Sequence, residues 1–191
     1  WVRRNMPILN QLEDQFAQER PFAGKRVTVC IHLEAKTAYL ALVLRTGGAT
    51  VSVTGSNPES TKDDVVAALA AEGLHVYARH GASPEGMRRY MSIALELQPH
   101  VVIDDGGDLV ELLHESQRQH GEQMLGACEE TTSGVLRARA RARAGQLRFP
   151  VMLVNDARCK YLFDNVHGTG QSAWDLSLIH ISSPRDRIAS R

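Results

Sequence analysis

Apolar residues along the chain form short β-branched runs, separated by longer segments in which apolar positions recur at helical spacing. The runs predict strands at Arg26–Ile31, 50–54, 75–78, 101–103, 124–128 and 151–154. The segments between them predict helices over 34–46, 61–72, 108–120 and 133–144, from Ser83-Pro84, and from about 157. An amphipathic segment over 1–21 precedes the first strand, with Met6, Leu9 and Phe16 among its apolar positions.

Capping residues mark several of the predicted helix ends. Thr61 and Asp108 are predicted to cap the helices that follow them, because a side-chain oxygen there can accept a free backbone N–H. Ser83 precedes Pro84, and proline is favoured at a first helical position. Gly73 stops the helix predicted over 61–72.

Strand and helix alternate with short connections along most of the chain. This order predicts an α/β fold: a doubly wound, mainly parallel sheet with helices on both faces, similar to a Rossmann fold. Sheets of this kind place their chemistry just beyond the carboxyl ends of the strands.

Polar side chains follow five of the predicted strands. They are His32, Glu34, Lys36 and Thr37; Ser56 and Asn57; Asp104 and Asp105; Glu129, Glu130, Thr131, Thr132 and Ser133; and Asn155, Asp156, Lys160, Asp164 and Asn165. One such group would be ordinary capping, whereas five at one edge of a sheet predict a ligand site.

The composition is that of an ordinary globular domain. The 191 residues are 43% hydrophobic and 23% charged, which makes wholesale disorder unfavourable. The 22 basic and 22 acidic residues cancel, so no overall field attracts nucleic acid or an anionic membrane. The longest apolar stretch, 38–44, is far shorter than the ~20 residues of a membrane-spanning helix.

Cysteine and histidine usage predicts neither disulfides nor a metal site. Cys30, Cys128 and Cys159 are far apart, which indicates free thiols in a reducing cytoplasm. The eight histidines form no HExxH motif and no Cys/His cluster. The chain has no secretory signal and begins with Trp1 rather than Met, so it is expected to be a fragment.

Asp104-Asp105-Gly106-Gly107-Asp108 has two interpretations. It formally matches the DDxxD magnesium motif of prenyl-chain synthases, but those motifs lie on helices and this one follows a strand. The second interpretation is a tight turn with Asp108 as the helix cap. It explains Asp108 but does not explain the two adjacent acids at the end of the strand. Because like charges at close range resist joint ionisation, we expect a raised pKa on one of them and a role in proton transfer.

Two other polar strings also have structural and chemical interpretations. Glu129 to Gly134 precedes a helix, so one hydroxyl is expected to cap it, while three hydroxyls there also suit a phosphate or a ribose. Lys160 and Asp164 lie four apart on one helix face. From the residues alone, a surface ion pair is favoured over a tuned lysine base.

Two patterns are interpreted as structural. The string over 168–173 fits GxGxxG/A, but no strand precedes it, so it is not expected to bind a dinucleotide. Arg137, Arg139, Arg141 and Arg143 alternate with alanine and divide between opposite faces of a helix. An interaction protein that uses this helix remains an alternative, which salt-dependent nucleic-acid binding would support.

Taken in order, these strings resemble the S-adenosyl-L-homocysteine hydrolase family over about 6–175. The matching segments are His32-Leu33-Glu34-Ala35-Lys36-Thr37-Ala38, Thr54-Gly55-Ser56-Asn57-Pro58, Asp104-Asp105-Gly106-Gly107-Asp108-Leu109, Glu129-Glu130-Thr131-Thr132-Ser133-Gly134, Val154-Asn155-Asp156-Ala157, and Lys160 through Phe163-Asp164-Asn165 to Gly168-Thr169-Gly170-Gln171-Ser172. The resemblance implies NAD-dependent hydrolysis of S-adenosylhomocysteine to adenosine and homocysteine by a cytoplasmic homotetramer. It implies neither a nucleic-acid nor a membrane partner.

The resemblance also implies residue roles. In the implied reaction the ribose 3′-hydroxyl is transiently oxidised, homocysteine is eliminated after loss of the 4′ proton, and water adds. Catalysis is implied for His32, Asp105, Glu130, Lys160 and Asp164, which also bind substrate together with Glu34, Lys36 and Thr37. NAD contacts are implied for Thr131, Thr132, Ser133 and Asn165, where Ser133 replaces the family's third threonine.

Departures from the family limit what the chain is expected to do. The segment 1–175 is predicted to be a substrate-binding domain without the family's NAD domain, hence inactive alone, and 176–191 is predicted to be a foreign tail. A non-catalytic nucleoside-binding module is the alternative. Glu34 and Lys36 stand where the better-known form has threonine and glutamate. If Lys36 contacts the base, the inosyl compound is expected to be accepted at least as well as the adenosyl compound, because an ammonium only donates hydrogen bonds. The alternatives are that Glu34 accepts from the adenine amine, or that Lys36 turns to solvent while backbone groups contact the base.

Overall fold

The computed structural model describes residues 2–174 as alternating strands and helices. The strands are β1 Arg26–Ile31, β2 Thr50–Gly55, β3 His75–Tyr77, β4 Val101–Asp104, β5 Gly126–Glu129 and β6 Val151–Leu153. The α-helices are α1 Val2–Asn5, α2 Pro7–Glu19, α3 Ala35–Thr46, α4 Asp63–Ala71, α5 Pro84–Leu95, α6 Asp108–His114 and α7 Thr132–Arg143. Short 3₁₀ turns span Arg118–Gly121 and Val154–Asp156, and a π-helix spans Lys160–Gly168.

The six strands form one parallel sheet in the order β3-β2-β1-β4-β5-β6. Connections run outward from β1 to one edge and then from β4 to the other, so the predicted doubly wound fold is confirmed. The register sets Cys30 beside Asp104 and Asp104 beside Glu129. The carboxyl ends of the central strands therefore bring the predicted polar loops to one edge.

The core lies on both faces of the sheet, because successive side chains of a strand point to opposite sides. On one face, Val27, Val29 and Val53 pack with Ala41 of α3 and Leu69 of α4. On the other face, Cys30 and Val102 pack with buried side chains of α5 and α6, including Met91, Leu95, Leu109 and Leu113. Both helical layers predicted from the pattern are thus present.

Two predicted capping roles are wrong. Thr61 precedes the helix by two residues, and its buried hydroxyl donates to the Asn57 carbonyl (2.9 Å) instead of capping α4. Asp108 is the first residue of α6 rather than its cap, and its carboxylate accepts from Arg137. The Asp104 carboxylate accepts the Val110 N–H at the start of α6 in its place (3.0 Å).

The helix predicted over 108–120 is shorter than expected. The chain leaves α6 after His114, and Gly121 lies next to Leu113, where a Cβ would stand at an ordinary van der Waals distance of 3.4 Å from Cδ2. The helix start predicted at Ser83-Pro84 is confirmed, and the Ser83 hydroxyl caps the helix by accepting from the Gly86 N–H at 3.1 Å. The strand predicted over 124–128 is shifted to Gly126–Glu129, so that Glu129 is its last residue.

The arginines of α7 divide between two faces as predicted. Arg137 pairs with Asp108 and Glu111, and Arg141 pairs with Glu115, so both lie on the side that faces α6. Arg139 and Arg143 are exposed and lie on the other side. Within residues 2–174 we find no helix whose length and apolar content would let it cross a membrane.

Contacts divide the chain into two compact units, one through Met152 and the other from Leu153. The predicted domain boundary at Asp175 and the predicted foreign tail, 176–191, lie outside the described residues. Each unit is described by itself below.

Candidate active site

His32 and Asp105 lie together at the carboxyl edge of the sheet. The Thr37 hydroxyl donates to the His32 carbonyl at 2.6 Å, which ties the loop after β1 to the first turn of α3. The Nε2 atom of His32 is 3.5 Å from Oδ2 of Asp105, and the side chains are 51% and 6% exposed. A half-exposed imidazole beside a buried carboxylate is an arrangement suited to proton transfer.

Two serines complete this group: Ser56, which the sequence named among the polar residues but gave no role, and Ser60, which was not predicted. The Ser56 hydroxyl donates to Oδ2 of Asp105 at 2.7 Å, and the Ser60 Oγ lies 2.5 Å from Nδ1 of His32. Ser56 had been placed among the polar residues after β2, but Ser60 lies 28 positions from His32 in sequence. Only the fold of the loop after β2 brings Ser60 to the imidazole.

Asp104 is fully buried, and burial raises its pKa to about 7. Hydrogen bonds from the Val110 and Asp105 N–H groups oppose this shift, while the nearby Glu129 carboxylate adds to it. The sequence predicted a raised pKa for one member of the Asp104-Asp105 pair, and the direction is confirmed. The predicted cause is wrong, because desolvation dominates and the repelling charge is that of Glu129 on β5.

Glu129 is buried and organises two loops. Its Oε1 accepts from the Gly106 N–H (2.9 Å), the Thr131 N–H (3.0 Å) and the Thr131 hydroxyl (2.8 Å). The carboxylate lies against Gly134, where a Cβ would stand 2.1 Å from the Glu129 Cδ. The sequence analysis did not assign this role to Glu129; the end of the hydrophobic run of β5 was the signal that could have located it.

Thr131 is the residue that caps α7, as expected for one of the three hydroxyls. Its Oγ accepts from the Gly134 N–H at 3.1 Å. Thr132 and Ser133 are exposed in the first turn of the helix. Glu130 is half-buried, and its backbone N–H donates to the Asp104 carbonyl at 3.1 Å.

Glu34 and Lys36 form an exposed pair at the start of α3. The Lys36 Nζ is 3.7 Å from the Glu34 Oε1, and the side chains are 54% and 47% exposed. Glu34 occupies the position before the helix but makes no side-chain capping bond. Both side chains therefore remain accessible to a ligand.

A cleft of about 680 Å³ adjoins the group formed by His32 and Asp105, because Ser56, which bonds Asp105, is one of its lining residues. Met87 and Met91 contribute apolar surface to it, and Glu59, Arg88 and Asp108 contribute charge. An apolar lining with a few charged groups is typical of sites for small amphipathic molecules.

The second unit contains a separate polar cluster around Lys160. Its Nζ donates to Oδ1 of Asn165 (2.8 Å) and of Asn155 (3.2 Å), and lies 3.7 Å from the Asp164 carboxylate. The wide turn of the π-helix places residues four and five apart on one side, so Asp164 and Asn165 both face Lys160. Asn155 was named among the polar residues after the last strand, but no role was predicted for it.

The GxGxxG/A string begins at the end of the Lys160–Gly168 helix, so the expectation that no strand leads into it is confirmed. Among residues 2–174, no three potential metal-ligating side chains form a cluster.

Comparison with known proteins gives consistent results. The S-adenosyl-L-homocysteine hydrolase family model matches residues 2–125. Over 175 residues the chain is 52% identical to the adenosylhomocysteinase of Pyrococcus abyssi, 49% to the S-inosyl-L-homocysteine hydrolase of Methanocaldococcus jannaschii and 49% to the adenosylhomocysteinase of Thermotoga maritima. These matches cover 92% of the chain but only 42%, 42% and 43% of the relatives. With the family model matching well over half of it, the chain belongs to the S-adenosyl-L-homocysteine hydrolase family.

Proposed function

We propose that this chain is the substrate-binding part of an enzyme that hydrolyses S-adenosyl-L-homocysteine to adenosine and L-homocysteine. The observation that carries the proposal is the contact between His32 and the buried Asp105, in a chain that belongs to this family. The substrate-binding domain is proposed to extend over 1–175. A homo-oligomer is proposed for the complete enzyme.

Three residues of the first unit are proposed to handle the substrate. Asp105 would accept the 4′ proton, because its carboxylate is held at the sheet edge by Ser56. His32 would supply acid–base chemistry at the 5′ position, giving a proton to the departing homocysteine and taking one from the water that adds, and its half-exposed ring supports this role. Glu130 would hold the ribose hydroxyls by accepting their hydrogen bonds, which carboxylates do in bidentate fashion.

In the second unit, Lys160 is proposed to exchange a proton with the ribose 3′-hydroxyl. Three side-chain oxygens, from Asn155, Asn165 and Asp164, surround its Nζ and fix its position. This arrangement supports the chemical interpretation more than the surface ion pair, because the side chain of Lys160 is only 19% exposed.

NAD is the proposed cofactor, and the residues at the start of α7 fit it. The exposed Thr132 and Ser133 present hydroxyls at a helix N-terminus, which suits polar groups of a nucleotide. Thr131 uses its hydroxyl to hold this turn, and Asn165 is the proposed contact in the second unit. When bound, NAD supplies the transient oxidation of the ribose 3′-hydroxyl.

A second candidate is hydrolysis of S-inosyl-L-homocysteine. The observation that favours it is the accessible Lys36 at the start of α3. An ammonium only donates hydrogen bonds, so it suits the 6-carbonyl of hypoxanthine, whereas the Glu34 carboxylate suits the 6-amine of adenine. The Methanocaldococcus jannaschii relative bears the name of this activity.

Calorimetric titration of the 191-residue chain with both thioethers tests the two candidates. We expect binding of at least one, and about tenfold to a hundredfold weaker binding in Glu130→Gln, since a hydrogen bond to a charged group is worth about 1.5–3 kcal/mol. The exposed Glu122→Gln is the matched control. Absence of binding, or equal loss in both variants, would contradict the proposal.

The same titration decides the purine. If Lys36 contacts the base, the wild type binds the inosyl compound at least as tightly as the adenosyl compound, and Lys36→Met loses that preference. A strong adenosyl preference that Lys36→Met leaves unchanged would reject the second candidate.

A further inference from the structure

The hydroxyl of Ser60 lies between two fixed partners. Its Oγ is 2.5 Å from Nδ1 of His32 and 3.1 Å from the backbone carbonyl of Asn57. A carbonyl oxygen can only accept a hydrogen bond, whereas the imidazole Nδ1 donates in one neutral tautomer and accepts in the other. A serine hydroxyl has a single hydrogen to donate.

Only one assignment of protons satisfies both contacts at once. The hydroxyl hydrogen must point to the Asn57 carbonyl, so Nδ1 of His32 must carry a hydrogen that it donates to the Ser60 Oγ. We propose that Ser60 is a positioning residue that fixes His32 in the Nδ1–H tautomer, so that the proton His32 exchanges is the one on Nε2.

The loop that carries Ser60 is well suited to hold its hydroxyl in place. The Glu59 N–H donates to Oδ1 of Asn57 at 2.9 Å, and the Thr61 hydroxyl donates to the same Asn57 carbonyl at 2.9 Å. Thr61 in turn packs on Gly55, where a Cβ would stand 2.7 Å from its Oγ1. The carbonyl that orients Ser60 is therefore fixed by contacts on both sides of the turn.

The other ring nitrogen of His32, Nε2, faces Asp105. It lies 3.5 Å from Oδ2, and the same oxygen accepts from the Ser56 hydroxyl at 2.7 Å. Once Asp105 holds the proton that it is proposed to take from the substrate, its carboxyl group donates to the lone pair of Nε2. Transfer of that proton leaves a carboxylate and an imidazolium, with Nδ1–H unchanged. The role of that proton in turnover rests on the proposed function, whereas the tautomer rests on this geometry alone.

Nitrogen-15 NMR of the uniformly labelled 191-residue chain tests the inference without any turnover. At a pH where the ring is neutral, we expect the His32 Nδ1 to show the protonated, pyrrole-type shift and Nε2 the unprotonated, pyridine-type shift. Ser60→Ala removes the partner of Nδ1, and a mixture of both tautomers is then expected. Ser60→Thr retains the hydroxyl and is expected to restore the single tautomer.

Ser56→Ala is the matched control, because it removes a serine hydroxyl from Asp105 and leaves the partner of Nδ1 in place. We expect it to keep the Nδ1–H tautomer. An Nε2–H tautomer in the wild type, or a tautomer that Ser60→Ala does not change, would overturn the inference. Neither result bears on whether the chain binds the substrate, so the inference and the proposed function fail separately.

Discussion

His114 is a buried histidine with both ring nitrogens bonded to backbone. Nδ1 donates to the Val110 carbonyl at 2.7 Å, and Nε2 accepts from the Arg148 N–H at 3.0 Å. The ring also packs on Phe149, with centroids 4.6 Å apart. Burial lowers the pKa of His114, and nearby arginines add to this, although the Val110 hydrogen bond opposes it. Protonation of Nε2 would break the Arg148 bond.

We therefore predict that His114 makes the protein less stable in acid. The folded state holds the proton less tightly than the unfolded chain, so the stabilisation is complete above the ordinary histidine pKa of about 6.5 and is lost as pH falls below it. The free energy of unfolding, measured between pH 5 and 8, should decrease less at low pH in His114→Gln than in the wild type. The exposed His75→Gln is the control, and an equal slope in wild type and His114→Gln would contradict the prediction.

Asp104 is predicted to have the opposite effect on stability. Its folded pKa of about 7 lies above the ordinary aspartate value of 3.8, so the folded state binds the proton more tightly. Asp104 therefore contributes most to the free energy of unfolding below about pH 4. This contribution decreases as the pH rises to about 7. Asp104→Asn cannot ionise and should lack this decrease in urea titrations at several pH values. A wild-type decrease that persists in Asp104→Asn would show that another group causes it.

At the scale of elements, Glu129 and two glycines connect the loop after β4 to the start of α7. Glu129 bonds Gly106 on one side and Thr131 on the other. Gly107 adopts a φ of +80°, which glycine tolerates readily, and a Cβ there would stand at an ordinary contact distance of 3.4 Å from the Gly134 Cα. At Gly134 the absence of a side chain leaves the space that the Glu129 carboxylate occupies.

Gly134→Ala is predicted to destabilise the protein by at least about 1–3 kcal/mol, the usual cost of overpacking. The added Cβ would overlap the Glu129 carboxylate, which has no room to move because it is buried and bonded. Gly170→Ala is the control, since nothing lies within 4 Å of its Cβ position. Urea denaturation measures both variants, and equal stability of Gly134→Ala and wild type would contradict the assigned packing.

At the scale of the whole molecule, the described residues form one sheet with helices on both faces, and the GxGxxG/A string over 168–173 begins at the end of a helix rather than after a strand. The chain spans 42% of the length of the Pyrococcus abyssi relative. We predict that the purified 191-residue chain binds substrate but shows no turnover of S-adenosyl-L-homocysteine with added NAD. The Thermotoga maritima adenosylhomocysteinase is the positive control, and adenosine release by the chain would contradict the prediction.

A complete enzyme that contains this segment provides the complementary prediction. Lys160→Met and Asp105→Asn should retain the fold and lose most of the rate, because each removes a proton-exchanging group. Circular dichroism and steady-state kinetics measure the two properties. Unfolding of either variant, or near-normal turnover, would contradict a chemical role for that residue and support a structural one.

The sequence alone determined the order of the elements, the parallel sheet and the edge to which the polar loops are brought. These follow from local properties: β-branched runs, helical spacing and turn residues act over a few positions, and parallel strands align their carboxyl ends. The helix start at Ser83 was predicted correctly for the same reason. The motif strings at the strand ends also singled out His32, Asp105 and Lys160 as candidate site residues, and their roles remain proposals.

The tertiary structure decided which of these groups meet. The register sets Glu129 rather than Asp105 against Asp104 as the charge that raises its pKa, and Asp104 rather than Asp108 bonds the start of α6. Likewise, the loop after β2 brings Ser60 to His32 across 28 positions. Such pairings depend on burial and on distances between segments remote in sequence, which no local pattern encodes.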